Sequence, residues 1–283
     1  MMAFGWLIGN SSTKPIIKAI TTVMSLSSGT RTVARIWIGT SGWSYRAWDD
    51  VFYPRGLNPQ ERLAHYAGQF DIVEINSTFY RLPRPEVVTG WRDAVPDHFV
   101  FACKTSRYIT HMKKLKDPKP SLGSFIERVR FLGDQLGPIL FQLPPRWHAD
   151  PRRLENFLES LPKRWRYAFE FRDATWFTPA ILELLAGYDA AFCIYDLNGR
   201  CSPLKITADF IYLRLHGPNR AYRGSYSDDV LAAWARRLLA WRDGGRDAYC
   251  FFDNDEKGSA VANAQRLATL IGDFSHDHRT GPS

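Results

Sequence analysis

The sequence predicts a single-domain α/β protein of the (β/α)8 barrel class. Short apolar runs, rich in β-branched and aromatic residues, recur down the chain and turn polar only at their C-terminal ends. Examples are Ile72-Val73-Glu74-Ile75-Asn76 and Phe210-Ile211-Tyr212-Leu213-Arg214-Leu215-His216. Strands buried on both faces of a parallel sheet read this way, because polar groups emerge only at one rim. Segments of helical periodicity separate the runs. Eight strand-like units within 283 residues suit one closed barrel better than an open doubly wound sheet.

The elements follow in order. The first strand is Ile36-Trp37-Ile38-Gly39. A helix is expected over 58–70, with Asn58 as its cap, Pro59 in its first turn, and Leu63, Tyr66, Ala67 and Phe70 on one face. Strand 72–76 leads to a helix over 86–94 that stops before Pro96, and strand 99–104 leads into a long polar segment through Pro118 and Pro120. A helix over 121–136 is expected to end at Gly137. Strands 139–143, 167–171, 191–195, 210–215 and 248–252 follow, with helices over 154–161, 179–186, 228–242 and 259–271; the connector after 195, holding Cys201 and Pro203, shows no long helix. The barrel domain is set at 36–272, with 273–283 as a flexible tail.

Residues 1–35 are rich in Ser and Thr and contain no acid, with Lys14, Lys18, Arg31 and Arg35 carrying four of the eight net positive charges. Their apolar patches are broken by Lys18 and lack signal-peptide order, so this stretch is expected to be a disordered leader or an over-extended start, with Met24 as the alternative initiator. The remaining charge of the body does not by itself point to nucleic acid. No run is long enough to cross a membrane. Cys103, Cys193, Cys201 and Cys250 form no CxxC pair and read as thiols, three of them in strands, which suits the cytoplasm.

The strand-end motifs resemble those of the domain-of-unknown-function 72 family, the YecE-like proteins. The matching stretches include Gly39-Thr40-Ser41-Gly42-Trp43-Ser44-Tyr45, Phe52-Tyr53-Pro54, and Val73-Glu74-Ile75-Asn76-Ser77-Thr78-Phe79-Tyr80-Arg81-Leu82-Pro83. Thr110-His111, Gln142-Leu143-Pro144-Pro145, Glu170-Phe171-Arg172 with Trp176, Arg214-Leu215-His216-Gly217 and Phe252-Asp253-Asn254 continue the match to the last helix. The resemblance implies a TIM-barrel fold and names no common activity.

Residues two apart along a strand share a face, which groups Glu74 with Asn76, Glu170 with Arg172, Arg214 with His216, and Phe252 with Asn254. With Lys104, Gln142 and Asp196 they form a ring at the end where barrel enzymes keep their sites. Structural ion pairing is the competing account of each single member, with Glu74–Lys104 or Glu170–Arg214 as candidate pairs. Trp43, Tyr80 and Trp176, beside the strand ends, are candidates to stack on a planar or sugar moiety.

The expected function is an enzyme acting on a small or nucleotide-like anionic substrate by acid–base chemistry. Glu74 or Glu170 serves as base, His216 as acid or shuttle with Asp196 beside it, and Lys104 with Arg214 as the anion site. The alternatives are a nucleic-acid-binding protein using Lys113-Lys114-Leu115-Lys116 and the Arg220–Arg223 region, a metal-dependent phosphodiesterase, and a non-catalytic ligand- or partner-binding barrel. A hard divalent ion on Glu74, Glu170, Asp196 and His216 is a minority reading, since Lys104, Arg172 and Arg214 compete and no HxH or HExxH spacing occurs. The cofactor and the oligomeric state stay open.

Overall fold

A computed structural model describes residues 33–277. The expectation for the leader falls, up to residue 32, outside the described residues, as does that for residues 278–283. The strands are β1 (Ile36–Thr40), β2 (Ile72–Ile75), β3 (Val100–Lys104), β4 (Leu136–Gln142), β5 (Tyr167–Glu170), β6 (Ala191–Leu197), the two-residue β7 (Arg200–Cys201), β8 (Phe210–Leu215) and β9 (Asp247–Phe252). The helices are α1 (Arg62–Ala67), α2 (Ser77–Tyr80), α3 (Pro85–Asp93), α4 (Pro118–Val129), α5 (Pro151–Glu159), α6 (Pro179–Gly187), α7 (Asp228–Asp243) and α8 (Ser259–Asp277). The parallel strands follow the order β1-β9-β8-β6-β5-β4-β3-β2, and a parallel bridge between Ser41 and Glu74 joins the two ends into a barrel. This is the (β/α)8 architecture.

The alternation along each strand builds two layers. Ile72, Ala102, Leu140, Ala168, Cys193, Tyr212 and Phe251 fill the inside of the barrel. Val73, Phe101, Phe141, Phe169, Leu213 and Phe252 face outward against Leu63, Phe125, Phe157, Leu185 and Leu231 of the helices. Gly39 lies where β1 passes β2 so closely that a Cβ would collide with the Ile72 carbonyl oxygen. Among the described residues no helix is long and apolar enough to cross a membrane.

Several elements differ from expectation. The helix expected over 121–136 starts at Pro118, which suits a first helical position, and ends at Val129; a tight turn over 130–135 then breaks at Gly133, whose φ is 60°. Gly137 lies within β4, where the close approach of Val100 leaves no room for a side chain, so its glycine marks packing and not a helix end. Asn58 accepts from the Gln60 N–H and caps a turn, and α1 begins only at Arg62. The connector after β6 folds back as a hairpin through Asn198 and Gly199, both at positive φ, to form β7. At the far end, α8 continues five residues past the expected domain boundary at 272, to Asp277.

Candidate functional site

The inward alternation that places Ala102, Ala168 and Tyr212 inside the barrel carries on to the C-terminal rim. It brings Ser41, Glu74, Lys104, Gln142, Glu170, Arg214 and Asp253 to that rim. At the centre lies Arg214, fully buried although it is the largest charged side chain of the core. Its Nη2 donates to Glu74 Oε1 at 2.7 Å and to Asp253 Oδ2 at 3.1 Å, and its Nη1 donates to Glu170 Oε2 at 2.8 Å. Three strands are thereby tied to β8 by one guanidinium, whose planar fork suits such multiple recognition.

Each carboxylate has further donors. Glu74 accepts from Ser41 Oγ at 2.6 Å and from the Tyr212 hydroxyl at 2.7 Å. Glu170 is bridged by both Arg172 and Arg214. Burial alone would raise the Glu170 pKa, but the guanidiniums of Arg172 and Arg214 hold it well below the usual carboxylate range. Asp253 is likewise lowered despite its burial, first by Arg214 and then by His216.

His216 is fully buried between two elements of this network. Its Nδ1 lies 2.9 Å from Asp253 Oδ2 and its Nε2 lies 2.9 Å from Arg172 Nη2. A guanidinium can only donate, so Nε2 must be the accepting nitrogen and the proton belongs on Nδ1, directed at Asp253. Tyr222, 47% exposed, stands edge-on to the imidazole at 5.4 Å and screens it from solvent.

Lys104 differs from the other cations. It makes no ion pair among the described residues, and its ammonium lies over the Phe79 ring at 4.4 Å. Burial and the neighbouring Arg214 charge lower its pKa to about 8, against the pull of Asp253, Glu170 and Glu74. Asp255, a residue away from the network, is raised to about 8 by burial and by the charge of Asp253.

Thus Glu74, Lys104, Gln142, Glu170, Arg172, Arg214 and His216 gather at the rim as expected from their strands. Asn76 joins them, donating its amide to the Ser41 carbonyl at 3.3 Å. Asp196 and Asn254 fall on the other parity. Cys193 and not Ile194 points inside, so Tyr195 reaches the rim and stacks on Arg172 at 4.8 Å, while Asp196 turns toward the β7 hairpin. Phe252 belongs to the outer layer, so its partner Asn254 turns outward too and donates to the Gly224 carbonyl and to Asn263; Asp253 takes the inward place.

Of the three aromatics, Trp176 is fully buried, stacked on Phe171 at 4.8 Å, with its indole N–H on the Trp147 carbonyl. It packs the loop. Trp43 is half-buried, edge-on to Trp91, and Tyr80 is 73% exposed. Ser41, Tyr212 and Asp253 were not among the expected site residues, yet each lies two residues from an inward position: Gly39, Arg214 and Phe251.

The donor set does not suit a divalent ion. The carboxylate oxygens of Glu74, Glu170 and Asp253 are engaged by guanidinium, hydroxyl and imidazole donors, and among the described residues no group of three His, Cys, Asp or Glu stands in metal-binding arrangement.

Fold and rim together define a TIM-barrel protein with a buried ion-pair network at the end where such barrels carry their chemistry. The chain belongs to the family described as "Protein of unknown function DUF72", whose model matches residues 37–282. It is similar to the UPF0759 protein YecE of Escherichia coli K12, 34% identical over 145 residues, or half of each chain. It thus spans about half the length of that relative. Similarity to the UPF0759 protein YunF of Bacillus subtilis is 24% over 273 residues, covering 83% of this chain and 94% of the relative. A crystal structure of a DUF72 family protein from Thermotoga maritima superimposes with a TM-score of 0.77 at 28% identity, covering 84% of this chain and 99% of the other.

Proposed function

We propose that the rim is the active site of a cytoplasmic enzyme that moves a proton on a small anionic substrate, with Lys104 as the group that meets it. The observation that carries this reading is the contrast between Lys104 and its neighbours. Arg172 and Arg214 are committed to carboxylates, whereas Lys104 keeps an unpaired ammonium at the half-buried edge of the mouth. A lysine tuned to about 8 can hold an anion as a cation and also exchange a proton near neutrality. Gln142 shares the same half-buried rim and offers a further amide donor.

Glu74, Glu170, Arg214, His216 and Asp253 then act as the rigid floor. Their carboxylates are held by the guanidiniums of Arg214 and Arg172, and this hydrogen-bonded set fixes the electrostatic field before substrate arrives. The four cysteines are all unpaired, which supports the cytoplasmic assignment. The basic loops that favoured nucleic acid carry their own acids, Lys113 with Asp117 and Arg223 with Glu256, which weakens that alternative.

The test is a thermal-shift screen with phosphate and carboxylate metabolites on wild type and Lys104→Met. Anions are expected to raise the wild-type midpoint and to lose that effect in the variant. No shift by any anion, or equal shifts in both proteins, overturns the reading.

A further inference from the structure

We propose that Lys104 is a covalent catalyst: its amine condenses with a carbonyl group of the anionic substrate to form an imine. This deepens the reading above and rests on it for the location of substrate. The geometry is that of a firmly held lysine whose amine has no carboxylate partner. The backbone of Lys104 is pinned on both sides, by the Thr78 hydroxyl donating to its carbonyl at 2.6 Å and by the Thr105 N–H donating to the Leu140 carbonyl at 2.9 Å. Its amine lies against the face of Phe79, and the edge of His111 meets that same ring at 5.0 Å. A wall of this kind excludes water from one side of the nitrogen, and Lys104 as a whole stays half-buried.

The groups that face this amine come from every neighbouring element. They are Arg214 from β8, Glu74 from β2, Glu170 from β5, Asp253 after β9, and His111 from the turn after β3. The three carboxylates are engaged by guanidiniums and leave Lys104 without an ion-pair partner. His111 adds no competing charge near neutrality, because burial and the positive charges of Lys104 and Arg107 lower its pKa to about 4. Desolvation beside a second cation is the way a lysine is made nucleophilic for carbonyl chemistry.

The step balances without an oxidant or reductant. The amine nitrogen bonds to the carbonyl carbon, the C=O π pair moves to oxygen and is protonated, and that oxygen leaves as water. The ammonium and the carbonyl become one protonated imine and one water. The protonated imine withdraws electrons from the adjacent carbon, so the reaction class is proton removal or carbon–carbon cleavage next to a carbonyl.

Glyoxylate with cyanoborohydride tests this on the wild-type chain, since it carboxymethylates whichever amines form imines. At pH 7.4 a lysine of pKa about 8 is roughly one-fifth free amine, against about 0.1% for an ordinary lysine near 10.4. Peptide mass spectrometry should therefore show Lys104 modified about tenfold or more faster than the exposed Lys114, Lys116, Lys163 and Lys205. An anion that raises the thermal midpoint should protect Lys104 and leave those four unaffected. Labelling of Lys104 no faster than the exposed lysines overturns the covalent role. If anions still shift the midpoint in that case, the rim remains an anion site; if they do not, both readings fall.

Discussion

His216 and Asp253 share a hydrogen bond of 2.9 Å at the floor of the barrel mouth, and this contact sets which imidazole nitrogen carries the proton. With Arg172 donating to the opposite nitrogen, the ring is oriented from both sides. In its neutral form His216 is expected to be the Nδ1–H tautomer. Nitrogen NMR of protein labelled in histidine reads this directly, and an Nε2–H signal for His216 would contradict the assignment.

Arg214→Met is expected to destabilise the fold strongly. It removes one guanidinium and leaves Glu74, Glu170 and Asp253 buried without it, and breaking a buried ion pair costs about 3–5 kcal/mol. Urea denaturation of the variant should show that loss. A change below about 1 kcal/mol would mean the three carboxylates are not held by Arg214.

The Glu170 carboxyl gives stability a defined acid limb. Its folded pKa lies below the unfolded value of about 4.3, so the folded state binds the proton less readily. The contribution is complete above the unfolded value and is lost as pH falls through the lower folded one. Glu170→Gln should therefore lose less stability than wild type between pH 5 and the acid transition, compared by urea midpoints at each pH. Parallel curves would sink this account.

Lys104 acts in the opposite pH range. Its folded pKa of about 8 lies below the unfolded value of about 10.4, so between these values the unfolded chain holds a proton that the folded chain has released. Stability from this residue therefore rises with pH through that window. Relative to Lys104→Met, wild type should gain stability from pH 7 to 9.5. A constant difference between the two proteins would show the amine to be unperturbed by the fold.

Gly39→Ala probes the packing of β1 on β2. The added methyl meets the Ile72 carbonyl oxygen, a backbone atom that cannot rotate away. A loss of about 1–3 kcal/mol is expected from overpacking, seen as a lower thermal midpoint. An unchanged midpoint would mean the strands can separate at no cost.

Much of the fold could be read from the polar ends of the apolar runs, because strands covered on both faces have few other places for charge. The rim was legible where a strand's inward parity was counted from its core residues, as in Ala102 to Lys104 or Ala168 to Glu170. It was missed where the count started from the wrong residue, so that Asn254 stood in for Asp253. Gly137 misled because the same lack of a side chain serves a helix end and a close strand approach. The bonds from Arg214 to three other strands depend on the curvature of the closed barrel, and no local spacing encodes them.

The partners of β1 also order events during synthesis. Ile36 pairs with Ala248 and Thr40 with Phe252, so β1 has no neighbour on one side until nearly the whole chain has emerged from the ribosome. At about 5–20 residues per second, the wait from the emergence of β2 to that of β9 is on the order of ten seconds or more. For most of it Glu74 lacks Arg214, and throughout it the closed barrel interior, so its carboxylate must stay hydrated. The polar rim is consequently among the last parts to consolidate, and a nascent chain stalled before β9 presents β1 as an unpaired edge open to aggregation.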